Sequence, residues 1–463
     1  MLHKIMEKYG LGLAALAEKW FPDALVFAFL GVLATFLLGI CVGETPAKLA
    51  FEGGKSFWSL IPFTMQMAMV IIGGYIVADA PLVHKLIVKL ASLPRTPRGA
   101  IAFTAFFSIF SSLLSWGFSL IFSGLLVREL ARRVKGMDYR AAGAAAYLGL
   151  GSVWALGLSS SAALLMATKS AIPPKLYEIS GVIPLSATLF LWQSIFLLLA
   201  LASVAIATAY FSAPEAEHAV TAAALDVAPD TDRKKEALEP RTRPGEWLEY
   251  SPLLNIAIGI LLAAYLVMAF KNSPNGALAA LDLNTYNLMF LTAGIFLHAS
   301  PRRFMRAAAK AIPAAGGVLV QFPFYAVIFG MITGTAIAPF LADLFVRVST
   351  HNTYPLLAAL YSSTLGVFIP SGGSKWIVEA PYVLQAAAVH QVNMGWIVQI
   401  YNTAEALPNL VNPFWMLPLL AILGVKARDI VGYSFLQLLT NAPVVFGLCW
   451  FLARTIPYVP AVH

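Results

Sequence analysis

The fold class this sequence predicts is an all-α polytopic membrane protein, and three observations predict it. Of the 463 residues, 59% are hydrophobic and 12% are charged, against about 25% charge in soluble chains. Apolar runs long enough to cross a bilayer recur along nearly the whole chain. The basic residues gather in the loops between those runs. The formal charge of +8 therefore reports which loops face the cytoplasm. It does not indicate nucleic acid, because no basic run interleaved with aromatics stands on a soluble domain.

Residues 1–21, with Lys4, Lys8 and Lys19 between apolar positions, read as an interfacial amphipathic helix, with no cleavable signal peptide evident. Apolar spans follow at 22–43, 57–80, 100–127, 141–168, 184–212, 251–271, 284–299, 313–335, 354–389, 394–425 and 430–452. A polar linker, 213–250, carries Asp230, Arg233, Lys234, Lys235, Glu236 and Pro244. It divides the chain into 1–212 and 251–463. Cys41 and Cys449 sit in or beside apolar runs and read as buried packing thiols.

Topology follows from the basic loops. Lys85, Lys89, Arg95 and Arg98 precede the 100–127 run, and Arg128, Arg132, Arg133, Lys135 and Arg140 follow it. Both flanks belong on the cytoplasmic side, which a single crossing does not allow. The run is therefore a re-entrant helical hairpin, with its tip at Ser115-Trp116-Gly117. Threaded this way, the amino terminus and linker fall inside and the carboxy terminus outside.

The second half repeats the first. Phe63-Thr64-Met65-Gln66 through Ser115 is similar to Gln321-Phe322-Pro323-Phe324 through Ser371. Each stretch reads as a span, a short amphipathic segment, a hairpin with a Ser/Gly tip and a span broken by polar residues. The second hairpin is 354–389, with its tip at Pro370-Ser371-Gly372-Gly373-Ser374. The broken spans are 141–168 and 394–425. The extra crossing at 251–271 reverses the second half, which gives two inverted-topology repeats.

The breaks are the candidate binding site. Non-helical backbone at membrane depth must line a protein-buried or wet cavity. There, free helix N-terminal N–H groups and the positive dipole end suit a carboxylate. Candidate ligands are Ser115, Trp116, Gly117, Ser159, Ser160, Ser161, Ser371, Gly372, Gly373, Ser374 and Asn412. Phe414 and Phe118 would meet an apolar tail, and Trp116, Trp376 and Trp415 would wall a pocket. Ionisable residues at depth mark function. Lys375 either opposes a substrate carboxylate or pairs with Glu379, one turn on. Glu379 and Glu405 are candidates to carry a coupling proton. Thr403 and Asn412 are the candidates for sodium, so the coupling ion, proton or sodium, stays open. No metal or cofactor motif is present. The seven histidines sit in loops or at span ends. That weakens an intramembrane serine protease built on Gly157-Leu158-Ser159, which needs a His in reach. Without a P-loop an ATP-driven pump is disfavoured, and without filter repeats or charge rings so is a channel.

Several strings carry a specific likeness over nearly the whole chain. They are Trp116-Gly117-Phe118, Arg128-Glu129, Ala131-Arg132-Arg133-Val134, Asn287-Leu288-Met289-Phe290 and Val320 through Tyr325. Pro370-Ser371-Gly372-Gly373, Pro413-Phe414-Trp415, Leu417-Pro418 and Arg428-Asp429-Ile430 with Gly432-Tyr433 complete the set. By these the chain resembles the bacterial short-chain fatty acid transporter family, within the ion transporter superfamily. The resemblance implies uptake of a short monocarboxylate such as butyrate or acetoacetate across the bacterial inner membrane. It further implies a homodimer, a scaffold and an elevator-like moving domain. Substrate, often with a sodium ion, would sit at the positions matching Ser115, Gly117, Ser159, Ser160, Ser371, Gly372, Gly373 and Asn412. The chain departs from family strings at Ser374-Lys375, where Gly-His also occurs. It lacks the Ser-Asn-Thr signature of dicarboxylate relatives, which puts their paired sodium sites in doubt here; the alternative function is a dicarboxylate or other organic anion carrier of the same superfamily.

Overall fold

The structure, a computed structural model, describes residues 24–215, 217–227, 241–273, 277–369, 371–412 and 414–461. The amphipathic helix expected over 1–21 lies outside these residues. So do Pro370, Pro413 and the centre of the linker. The described secondary structure is helical, with no strand.

One group of helices comprises α1 (Ala24–Cys41), α2 (Pro46–Ser56), α3 (Ile61–Ala78), α10 (Pro252–Lys271), α11 (Leu283–His298) and α12 (Pro301–Gly334). Here α12 lies against α1, α2 and α3, and α11 lies between α3 and α10. At ~1.5 Å per residue, α12 is longer than a bilayer is thick. Its start carries Arg302, Arg303, Arg306 and Lys310, and its apolar part, Ala315–Gly334, is the portion fit to cross. Glu44, in the loop before α2, accepts the Ala336 amide at 2.8 Å. That bond, with help from Lys48, holds its carboxyl below the usual range.

The other group holds the hairpins and broken spans. Helix α4 (Pro81–Leu90) leads to α5 (Pro97–Leu114) and α6 (Trp116–Arg133); then come α7 (Tyr139–Leu148), α8 (Ser161–Ala167) and α9 (Trp192–Ser212). The same order of element types follows α12: α13 (Ile337–Val348), α14 (Tyr354–Phe368) with α15 (Gly372–Val389), α16 (Met394–Asn409) with α17 (Leu417–Leu423), and α18 (Ala427–Ala453). Hydrogen bonds join the helices within each pair. Ser119 donates to the Ser108 carbonyl at 2.8 Å across α5 and α6. Tyr361 and Tyr382 share a 2.8 Å hydroxyl contact across α14 and α15.

Burial is arranged for lipid. Every residue of α16 is buried, including Gln399, Asn402, Thr403, Glu405 and Asn409. The uniformly apolar α10 is only 11% buried and turns Leu253, Ile260 and Leu261 outward. Water would favour the reverse; a bilayer favours polar groups satisfied inside and apolar groups outside. Seven described helices are long and apolar enough to cross.

One expectation changes. Cys449 is buried, but Cys41 is exposed, because it ends α1 on its outer face. Separately, the first part of the linker is held to the start of α7: the Val220 amide donates to Asp138, and the Val220 carbonyl accepts from the Tyr139 amide.

Candidate functional site

The first hairpin breaks at Ser115 because an extended backbone (φ −159°) there caps α6, with the hydroxyl accepting the Phe118 amide. The Trp116 amide, an orphan donor of that helix start, donates to the Ser159 hydroxyl at 2.6 Å. Ser159 lies on the break between α7 and α8, where the helix passes through a π turn at Gly149–Val153 and a 3₁₀ turn at Trp154–Leu156. At Gly157 the break presses on the hairpin. A Cβ there would meet the Leu113 backbone at 2.5 Å, so only glycine fits. Ser160 caps α8 and donates to Asn402 of α16 at 3.0 Å, tying the first break to the second broken span.

The second tip is built on Ser371, extended (φ −146°), whose hydroxyl accepts from Ser374 at 2.6 Å. The Tyr401 hydroxyl donates to the Gly372 carbonyl at 2.6 Å, and Tyr147 reaches the Asn409 carbonyl at 3.0 Å. The tips and breaks meet at a cavity of about 30 Å³, room for about two waters. Ser161, Ser371, Gly372, Gly373 and Asn409 form its polar side. Trp116, Trp154, Trp415, Phe322, Met67 and Ile71 supply apolar walls. Trp154 Nε1 and Asn409 Oδ1 are buried there without hydrogen-bond partners. Among the described residues no Lys, Arg, Asp or Glu lines it.

Lys375 is buried away from this cavity. Its ammonium donates to the Ser362 carbonyl at 2.7 Å and to Glu379 Oε1 at 3.1 Å. It also lies 2.8 Å from Glu405 Oε2 and 4.4 Å from the Tyr401 ring centre. Glu379 accepts a second bond from Ser362 at 2.6 Å. The Glu405 contact is an ion pair by distance, since neither of its oxygens accepts a well-oriented hydrogen bond. Lys375 and Glu379 are wholly buried and Glu405 is 1% exposed.

Of the residues singled out from sequence, Trp116, Ser161, Ser371, Gly372, Gly373 and Trp415 converge on the cavity. Ser115, Ser159, Ser160 and Ser374 are buried behind it, positioning the tips and breaks. Gly117 adjoins the Ile71 carbonyl of α3. Asn412 is buried on the second break but does not line the cavity. Thr403 donates to the Gln399 carbonyl of its own helix. Trp376 packs on Tyr401, and Phe118 stacks on Phe122, rather than walling the cavity. The side chain of Phe414 lies outside the described residues. Sequence reasoning missed Trp154, Asn409 and Phe322. A tryptophan between Gly151 and Gly157, and an asparagine three residues before Asn412, were the available signals. Among the described residues no cluster of His, Cys, Asp and Glu fits a metal ion.

Broken helices around a small buried cavity, inside a bundle with several helices apolar enough to cross a membrane, are an arrangement that membrane transporters use. A family described as short chain fatty acid transporter matches residues 5–452, and the chain belongs to it. Family membership makes the chain a transporter rather than an enzyme. A protein of Escherichia coli (strain K12), provisionally named a short-chain fatty acid transporter, is 35% identical over 436 residues, 94% of this chain and 97% of its own. One of Haemophilus influenzae with the same provisional name is 34% identical over 441 residues, 93% and 96% of the two chains. Two solved transporters share the fold at 14% identity. The YdaH transporter of Alcanivorax borkumensis has a TM-score of 0.58, covering 95% of this chain and all of its own. MtrF of Neisseria gonorrhoeae has 0.60, covering 97% and 99%.

Proposed function

We propose that the chain is a secondary carrier of short-chain monocarboxylates, such as butyrate or acetoacetate, that couples substrate movement to a proton. The observation that carries the substrate reading is the cavity between the tips. Its polar side is formed by Ser161, Ser371, Gly372, Gly373 and Asn409, at the starts of α8 and α15 and the end of α16, and among the described residues no Lys, Arg, Asp or Glu lines it. Amides at the start of α15 and α8 satisfy one carboxylate. Clustered arginines or lysines, which a second carboxylate would call for, are missing from the lining. The apolar walls suit a short acyl tail. At about 30 Å³ the cavity is closed down, so binding requires the tip at Ser371–Ser374 to open.

The Lys375–Glu379–Glu405 triad supports the proton. One buried cation faces two buried carboxylates. An uncompensated buried charge costs several kcal/mol, so charge balance leaves one proton shared by the carboxylates, a property of the pair rather than of either residue. Tyr401 joins this proton site to the substrate site, since its hydroxyl holds the Gly372 carbonyl while its ring underlies Lys375. Opening the tip disturbs both. Thr403, bonded within its own helix, supports sodium less well. The fold reading extends the same way. Residues 1–212 and 251–463 form two inverted repeats, the hairpins and broken spans move as an elevator against α1–α3 and α10–α12, and the carrier is a homodimer of the bacterial inner membrane.

The test is uptake of labelled butyrate and acetoacetate into proteoliposomes under separately imposed proton and sodium gradients, with succinate as competitor. Proton-driven uptake that succinate does not inhibit is expected. Glu405→Gln should abolish uphill uptake while leaving butyrate exchange. Inhibition by succinate would overturn the monocarboxylate reading in favour of a dicarboxylate carrier. Uptake driven by sodium alone would overturn the role given to the triad.

A further inference from the structure

A second and larger space lies outside the hairpin core. Helices α9 and α18 run antiparallel, joined where Gln437 donates to the Ala205 carbonyl at 2.9 Å and Thr208 to Thr440 at 3.2 Å. Toward the Ser212 end of α9 they leave a groove of about 880 Å³. Val204, Ala207 and Phe211 form one wall and Leu436 part of the other. Phe211 is 78% exposed, so the groove is open on its outer side.

Its mouth is charged. Arg98, Arg140 and Arg428 line it, each the second residue of its helix, in α5, α7 and α18. Three helix starts and three guanidiniums therefore converge, all favouring an anion. Glu215 and Asp429 share the rim. Arg98 lies 3.3 Å from Glu215, and Asp429 accepts the Lys426 amide at 2.8 Å. Arg140 lies 2.9 Å from Asp138, which is buried behind the rim and also accepts the Ala141 and Val220 amides. Arg428 is exposed and enters no ion pair among the described residues. Arg98 and Arg140 are thus each paired with a carboxylate, and Arg428 is the lining arginine left without one among the described residues, a single positive charge open to a ligand.

The groove has the length of a lipid tail. About 18 Å of helix separates Arg428 from Thr440, and one leaflet contributes ~15 Å of hydrocarbon. We propose that this groove binds one anionic phospholipid of the surrounding leaflet. Its phosphate sits among Arg98, Arg140 and Arg428, and an acyl chain runs past Phe211, Ala207 and Leu436 toward Thr440. A singly charged headgroup such as phosphatidylglycerol balances the rim. Because α9 and α18 lie against α5, α7, α14 and α16, the lipid is bound to the body that holds the cavity.

The test is native mass spectrometry of the full chain in neutral detergent, titrated with phosphatidylglycerol or with phosphatidylcholine of the same tails. One phosphatidylglycerol adduct should form at roughly fivefold lower lipid than the phosphatidylcholine adduct and persist in millimolar inorganic phosphate. Arg428→Ala should remove the preference and Arg428→Lys retain most of it. Ala207→Trp, which fills the groove without altering charge, should remove the adduct. Equal binding of the two lipids, displacement by inorganic phosphate, or an adduct indifferent to both Arg428→Ala and Ala207→Trp would overturn the proposal. Correct folding of each variant is read separately from its circular dichroism.

Discussion

Lys375 stands one turn from Ser371, near enough in sequence to be a substrate ligand, yet its ammonium is occupied by Ser362, Glu379 and Glu405. Removing it should expose the cost of the two carboxylates it faces. Lys375→Ala is expected to lose about 3–5 kcal/mol, read as a large drop in the melting temperature of the detergent-solubilised protein. Combining Lys375→Met with Glu379→Gln and Glu405→Gln should restore most of that stability while leaving proton-driven uptake absent. A triple variant no more stable than Lys375→Ala would mean that packing, not charge, sets the effect. Gly372 calls for a different test. A Cβ at this position would overlap the Trp154 ring inside the cavity, so Gly372→Ala should reduce butyrate uptake at least tenfold, about 1.4 kcal/mol. Stability should fall as well, by about 1–3 kcal/mol, because the buried Trp154 ring has to shift to admit the methyl group. Normal uptake by this variant would detach the second tip from the substrate site.

The first hairpin owes its break to a serine cap, Ser115, whereas Ser371 at the second holds the N-cap position without a side-chain capping bond. Ser115, Ser160 and Ser371 each sit at the start of a helix in extended conformation, and Ser159 satisfies an amide of the opposite element. Lipid offers no substitute partner for a freed amide. Ser159→Ala should therefore cost about 1 kcal/mol, the ordinary loss of a helix cap. It should also speed hydrogen exchange at Trp116 more than at helices of the other group, such as α10. The sequence placed these breaks well, because Ser-Trp-Gly, Ser-Ser-Ser and Pro-Ser-Gly-Gly interrupt otherwise apolar runs. It did not reveal that Ser159 and Ser160 point away from the cavity toward Trp116 and Asn402, since that depends on contacts with residues 43 and 242 positions away.

The whole molecule is ordered by the bilayer. By the positive-inside rule Arg98 of α5, Arg132 and Arg133 at the end of α6 and Arg302, Arg303 and Arg306 at the start of α12 are expected on one side, and in the proposed inverted-repeat arrangement the two tips would approach the cavity from opposite sides. A reporter active only outside the cytoplasm should be active when fused after residue 461 and inactive when inserted near residue 243. The opposite pattern would invert the threading, and activity at both positions would remove one crossing. The same arrangement requires the two tips to close the cavity in turn. Cysteine pairs bridging the moving hairpins to α3 or α12 should then stop uptake when oxidised and release it when reduced.

The apolar spans and the polar interruptions within them were legible in the chain itself, because an apolar run needs no partner to declare that lipid is its solvent. The tip serines were legible for the same reason: a polar interruption at that depth has to be used. Tertiary structure alone decided which of those polar groups face the cavity. Trp154 and Asn409 enter it through the π and 3₁₀ turns after α7 and through the end of α16, and no local pattern encodes where such turns aim a side chain. It also decided that Lys375, Glu379 and Glu405 form one cluster. Glu405 lies 30 residues from Lys375 on another helix, and only the packing of α15 and α16 against α14 brings its carboxylate to 2.8 Å.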